Sequence, residues 1–395
     1  MKSGSSRDAL RTAQEMGYVT CLLTKNTEHI KKQSEFPEVS LMYYVDLDYL
    51  PEVRNAIMTL KAQNHAIYAI VSFVDPYCGL AAQLSEENRL ESFTASALYK
   101  MENKLVTREV LEDTPYNPRY LVVNAKNREQ TEKKAEAMLP LVLKYVESNG
   151  SRDVFLCKTK EDYRRFLNRL LRNYPRGNVL AEEFIDGRQV IVEVLATNGT
   201  INIIAIIEQE IMINRNHFIV TGYNLVTEDE TENYRKLKAD VKKIIEKFGL
   251  VNGPCHLEMR CLNGEWKVIE MNPRISGGGM NQLLSIGLGI NLVKETLNLA
   301  LDEKVTLEPK YRIPTFAQYL TVKRGGVLAR ITGKNQVSQS PGVRFVFIKP
   351  RRGKQLYPPI NLGNRYAYVI ATGETGEEAK TNAQKALEKL KFHYY

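Results

Sequence analysis

The stretch His256-Leu257-Glu258-Met259-Arg260, answered by Val268-Ile269-Glu270-Met271-Asn272-Pro273-Arg274 with Asn263-Gly264 between them, carries most of the information in this sequence. Asn-Gly between two runs of alternating apolar and polar residues is a strong hairpin signal. In extended chain, side chains two apart share a face, so Glu258 goes with Arg260 on one strand and Glu270 with Asn272 on the other. Register then decides what the hairpin can do. A two-residue turn opposes Glu258 to Ile269 and separates the two glutamates, whereas a three-residue loop, Asn263 to Glu265, opposes Glu258 to Glu270. A site therefore requires the longer loop. Two carboxylates and an amide oxygen on one face are hard ligands suited to Mg²⁺ held between protein and nucleotide phosphates. Arg274, two positions beyond Asn272, reaches the same place, where it would stabilise charge on a transferring phosphoryl or acyl oxygen. Taken alone, the stretch reads equally as a solvated hairpin with ordinary charges.

Two further constellations lie upstream. Leu141-Val142-Leu143-Lys144 is an apolar strand ending in a lysine, followed by Ser148-Asn149-Gly150-Ser151-Arg152. A lysine at a strand end beside a Gly/Ser turn can offer a point charge and backbone N–H donors to phosphates, although a plain hairpin gives the same pattern and no Walker spacing is present. Val179-Leu180-Ala181-Glu182-Glu183-Phe184-Ile185-Asp186-Gly187 ends an apolar strand in two carboxylates. These are either solvated edge charges or acceptors for a purine amino group in an apolar slot.

Around these, Arg7 to Met16, Leu50 to Gln63 and Cys78 to Glu87 read as helices, and Tyr18 to Leu23 and Ala66 to Phe73 as strands, the rhythm of a parallel sheet with crossover helices. A first strand before Ser3-Gly4-Ser5-Ser6 is missing, and a chain that starts late is the favoured expectation. Asn103 to Leu111, Glu161 to Asn173 and Glu232 to Phe248 read as helices, with strands at Leu139 to Tyr145, Val154 to Lys158, Val179 to Phe184, Val190 to Leu195, Ile201 to Glu210 and His217 to Tyr223. A last block carries strands Val343 to Ile348 and Arg365 to Thr372 and a helix from Gly376 to Leu390.

The chain has 395 residues, with 55 Lys+Arg against 46 Asp+Glu for a net charge of +9, and 43% hydrophobic residues, which excludes disorder over most of its length. Two or three domains are expected. Apolar runs such as Ile201 to Ile207 are far short of the roughly 20 residues a membrane span needs, and the amino terminus has no secretory pattern, so no membrane partner and a cytoplasmic location are expected. Five scattered cysteines without a C-x-x-C pair argue for free thiols rather than zinc. The basic residues are interspersed with acidic ones, which favours phosphates in a pocket over a nucleic acid.

Taken in order, the three constellations resemble the ATP-grasp superfamily over nearly the whole chain. The most specific part is Glu270-Met271-Asn272-Pro273-Arg274 with Ser276-Gly277-Gly278-Gly279. It is similar to that family's second metal carboxylate, metal asparagine, catalytic arginine and glycine-rich substrate loop. Ala371-Thr372-Gly373-Glu374-Thr375-Gly376-Glu377-Glu378-Ala379 resembles the end domain of the carboxylate-amine ligases and of biotin carboxylase. The resemblance implies an α/β ATP-grasp fold: a Rossmann-like parallel-sheet domain at 1–98, a grasp domain at 99–310 with a lid at about 119–184, and a small α+β domain at 311–395. It implies Glu258, Glu270 and Asn272 as ligands of Mg²⁺ or Mn²⁺ and Arg274 as the catalytic residue. It further implies ATP held by Lys104, Lys144, Ser148, Gly150, Ser151, Glu182, Glu183, Phe184, Ile185 and Gln189. Gln189 departs from the acidic residue that many members use for the ribose.

The resemblance also implies ATP-dependent activation of a carboxylate as an acyl phosphate and its capture by an amine, as in the amino-acid (dipeptide) ligases. Small-molecule carboxylate and amine substrates are expected, with Ser276, Gly277, Gly278 and Arg260 on the substrate side and a homodimer as the candidate assembly. Asp75, in Phe73-Val74-Asp75-Pro76, is a candidate for a substrate amino group or else a helix cap; His217 faces the phosphates or second substrate, or else solvent. The competing readings are a ligase that loads an amino acid onto a carrier-protein thiol and a catalytically inactive nucleotide-binding regulator.

Overall fold

The computed structural model describes residues 4–148, 150, 152–228 and 231–395. Its backbone is an eight-stranded antiparallel sheet, in the spatial order Glu265–Asn272, Gly253–Leu262, Arg188–Thr197, Thr200–Asn214, His217–Leu225, Thr315–Leu320, Ala367–Thr372 and Val343–Ile348. The alternation anticipated for these strands is present: Leu257 and Met259 are fully buried on one face, with His256, Glu258 and Arg260 on the other. The last three strands come from the carboxyl-terminal block, so the sheet continues without a break across residues 310–311.

A second, four-stranded antiparallel sheet, in the order Tyr120–Val123, Val179–Glu183, Leu141–Tyr145 and Val154–Cys157, has its own apolar core. The helix Lys160–Asn173 covers it with Tyr163, Phe166, Leu167 and Leu170 on one face and is capped by Thr159, whose hydroxyl accepts from Asp162 N. The helix Glu232–Phe248 closes at Gly249, whose φ of 74° is the left-handed conformation that ends helices.

Two expectations are corrected. In the amino-terminal region, Cys21–Thr24 and Leu41–Tyr44 pair in parallel, but Ala66–Phe73 is not a strand. An extended segment becomes a strand only when a neighbour completes its ladder, and no described segment does so here. The hairpin turn is also shorter than the site seemed to require. Leu262 pairs with Glu265 around Asn263 (φ 52°) and Gly264 (φ 80°), the signs of a type I′ two-residue turn. The ladder then slips by one residue between Glu258 and Met259, so Met259 faces Val268 while Glu258 faces Glu270, and Ile269 is the extra residue of a β-bulge. The bulge, not the loop, brings the two glutamates together. Among the described residues no helix is long and apolar enough to cross a membrane, and the five cysteines are free.

Candidate active site

The bulge is held by cations. Ile269 O accepts from Lys144 Nζ at 3.0 Å and from Arg108 Nη2 at 2.8 Å, and Val268 O accepts from Arg108 Nη1 at 2.9 Å. Both cations are in turn fixed by Glu182, whose oxygens accept from Arg108 Nε at 2.7 Å and from Lys144 Nζ at 2.6 Å. Burial alone would raise the Glu182 carboxyl, but Arg108 and Lys144 outweigh it and hold it at about 2. The Lys144 amine is pushed down, by burial first and against the pull of Glu182. Arg108 was not anticipated. The helix Lys104–Val110, capped by Asn103, places Lys104 and Arg108 one turn apart on one face, a spacing legible in the sequence. Lys104 Nζ donates to Ser148 O at 2.7 Å and lies 3.4 Å from Glu270 Oε1, tying the turn after Lys144 to the hairpin. Gly150 has a φ of 68°; Ser151 lies outside the described residues.

Burial and Glu270 push the Glu258 carboxyl up, while for Glu270 the effect of burial is overcome chiefly by Lys104 and Lys144, so Glu258 is the member that holds a proton more readily. Two facing carboxylates in conflict, with the buried Asn272 one alternation further on, form an oxygen donor set that a divalent cation would relieve. The residues present therefore fit Mg²⁺.

Gln189, which the resemblance implies at the ribose, is tied to the hairpin strand Gly253–Leu262. Its Nε2 donates to Glu258 Oε2 at 2.9 Å and to Gln209 Oε1, and its Oε1 accepts from Arg260 Nε at 2.6 Å. Arg260 is not presented as a free cation: its Nη1 donates to Ile185 O at 2.7 Å, and its guanidinium carbon lies 5.1 Å from the Phe184 ring centroid and 5.5 Å from that of Phe218. It thereby fixes the backbone that follows Glu183, whose carboxylate accepts from Arg119 N and Nε. His217 is half-buried rather than solvated, with its ring centroid 5.1 Å from that of Phe155 and its Nδ1 buried without a hydrogen-bond partner.

Arg274 leaves the end of the hairpin with both its backbone and its side chain held. Arg274 O is 2.8 Å from His256 Nδ1, and Nε and Nη2 both donate to Asp75 Oδ2, the first at 2.7 Å. Burial and Arg274 push His256 down to about 4, so the ring is neutral. Asp75 is not a helix cap: Cys78 N and Gly79 N donate to Glu102 Oε1 at 2.7 and 3.2 Å instead.

The loop Ser276-Gly277-Gly278 rests on Glu193, to which Ser276 N donates at 3.1 and 3.3 Å. Glu193 has no solvent exposure, and burial pushes its carboxyl up to about 7. Gln189, Ile191 and Glu193 share one face of the strand Arg188–Thr197, so this support was also readable from its spacing. The raised carboxyl contributes stability that is complete below about pH 4.5 and is lost as pH rises through 7. A Glu193→Gln variant, a mimic of the protonated form, is expected to be more stable than the parent at pH 8.5 by on the order of 3 kcal/mol and indistinguishable at pH 4. Thermal unfolding at the two pH values checks this; parallel pH dependences would refute it.

Residues 137–282 match the ATP-grasp domain and residues 318–395 the L-amino acid ligase C-terminal domain 2. A Sinorhizobium fredii protein, described as uncharacterized protein y4rH, is 29% identical over 65% of this chain and 53% of its own length. The L-arginine-specific L-amino acid ligase of Bacillus subtilis is 23% identical over 43% of each chain. The chain thus spans about half the length of the curated relatives it matches. The crystal structure of the L-amino acid ligase from Bacillus licheniformis superposes with a TM-score of 0.83 at 18% identity, covering 99% of this chain and 96% of that one, a likeness of fold. With both domain matches in agreement, the chain carries an ATP-grasp domain at 137–282 followed by an L-amino acid ligase C-terminal domain 2 at 318–395.

Proposed function

We propose that this chain is an ATP-dependent ligase that activates the carboxylate of an amino acid and joins it to an amine, giving an amide or dipeptide, ADP and phosphate. The observation that carries the reading is the bulged hairpin, which opposes Glu258 to Glu270 and leads directly into an arginine oriented at both ends. In this reading Lys104 and Lys144 hold the ATP phosphates, and the segment Glu182 to Ile185 holds the adenine. Glu258, Glu270 and Asn272 hold Mg²⁺, which when bound neutralises phosphate charge. The substrate carboxylate oxygen attacks the γ-phosphorus, ADP leaves, and the amine nitrogen attacks the acyl carbon, losing a proton as phosphate departs. Arg274 steadies the carboxylate and the oxyanion that follows. Asp75 orients Arg274 through Oδ2, and its Oδ1, buried and without a hydrogen-bond partner, is available to a substrate ammonium group. The ligase C-terminal domain at 318–395 favours an amino acid as the carboxylate. Screening ADP release over pairs of amino acids, with mass spectrometry of the products, tests the reading. Amide products formed without a carrier protein are expected; absence of ADP release across the panel would overturn it.

A further inference from the structure

The carboxyl-terminal region sends one cation toward the glycine-rich loop. Arg365 leaves the residues just before the strand Ala367–Thr372, and its guanidinium carbon lies 4.0 Å from the Tyr319 ring centroid and 5.6 Å from that of Tyr223. Nη1 donates to Tyr223 Oη at 3.0 Å and to Val220 O at 3.4 Å. Nε is buried without a hydrogen-bond partner, and no Asp or Glu among the described residues forms an ion pair with this guanidinium. Nη2 points at the loop: a Cβ at Gly278 would lie 3.8 Å from it. Tyr319 Oη, on the same wall, accepts from Gly279 N at 3.2 Å. A second cation is near, since burial and then Arg365 push the Lys349 amine down. Glu258 is the carboxylate that acts on Arg365 from beyond ion-pair distance, and an enclosed guanidinium with no direct ion pair among the described residues, beside another cation, is costly unless an anion arrives.

We propose that Arg365 binds the α-carboxylate of the amine-donating amino acid, an assignment that rests on the ligase reading above. When two amino acids are joined, one carboxylate is consumed and the other survives into the product. The consumed one belongs at Arg274, whose head is turned by Asp75 at the end of the hairpin. The surviving one needs a permanent cation that takes no part in transfer. Arg365 supplies this at Gly278 of the loop, with the planar fork that suits a carboxylate. Its neighbours Tyr223 and Tyr319 fix that fork without neutralising it.

The test compares amine donors on the full chain. With ATP and the activated amino acid saturating, the parent protein is expected to show a KM for an amino-acid donor about 10- to 100-fold below that for the corresponding amino-acid carboxamide, the scale of a charge-assisted hydrogen bond. Arg365→Gln is expected to abolish that preference by raising only the amino-acid KM, and Arg365→Lys, which keeps the charge but not the fork, to restore part of it. A structural role for the Tyr319 stack predicts instead that both donors suffer alike and that the melting temperature falls. Hydroxylamine, which bears no carboxylate, reads the first half-reaction separately as hydroxamate. Hydroxamate without discrimination between amino acid and carboxamide would overturn this assignment alone; no hydroxamate and no ADP with any amino acid would overturn the ligase reading and this assignment with it. A donor whose anion is a phosphate would appear as an Arg365-dependent preference for phosphorylated amines over amino acids, and would also overturn it.

Discussion

An Arg274→Ala variant is expected to lose about 10²- to 10³-fold in kcat while its KM for ATP stays within a small factor, because the lost interaction is one made to charge that develops during transfer. The side chain is not merely nearby. Its backbone carbonyl is held by His256 Nδ1, a ring that burial keeps neutral, and its head is turned by Asp75 through two nitrogens. Such double fixation is what preorganised donors require. Arg274→Lys retains the charge but cannot reproduce the fork on Asp75, so it is expected to recover only part of the loss. Steady-state kinetics on the three proteins check this. A loss in Arg274→Ala of less than about threefold would mean that the arginine serves only to satisfy Asp75.

The largest effect on stability is expected at Glu182. Its carboxylate lies 2.6 Å from Lys144 Nζ and 2.7 Å from Arg108 Nε, and all three groups are buried. Glu182→Gln leaves two enclosed cations facing an amide that can accept from one of them, and the expected cost is about 3–5 kcal/mol, the range for breaking a buried charge pair. At neutral pH the full effect should appear, since the folded carboxyl is held at about 2 and its stabilising contribution is lost only as pH falls toward that value. Adding Lys144→Met to Glu182→Gln removes one of the stranded cations and is expected to be less destabilising than the sum of the single changes. Urea unfolding of the four proteins in a double-mutant cycle measures this. Additive losses would mean that Lys144 and Glu182 do not share one network.

Much of this site could be read from the sequence because its residues lie two apart on strands or four apart on one helix. Glu258 with Arg260, Glu270 with Asn272, and Lys104 with Arg108 are all short-range relations that the backbone period fixes. The hairpin slip was also written there, but elsewhere than expected. Trp266, Val268 and Met271 are buried, so the inward period of two breaks between Val268 and Met271. That break marks Ile269 as the bulge; attention to the turn hid it. Other features had no local signature. Arg260 spends its fork on Ile185, Asp75 meets Arg274 from the far end of the chain, and Arg365 reaches Val220 across 145 residues. The fate of Ala66–Phe73 was illegible for the same reason, since strand formation depends on a neighbour that local pattern does not specify.

The bulge at Ile269 also uncouples the tip of the hairpin from its base. Because the one-residue slip is pinned by Lys144 and Arg108 at the carbonyls of Val268 and Ile269, the spacing of the glutamates does not depend on how the chain turns at Asn263-Gly264. The tip, solvent-exposed from Asn263 to Glu265, is therefore a natural place to attach a fluorophore or to graft a short peptide handle, where the chain can be lengthened without re-aiming the carboxylates.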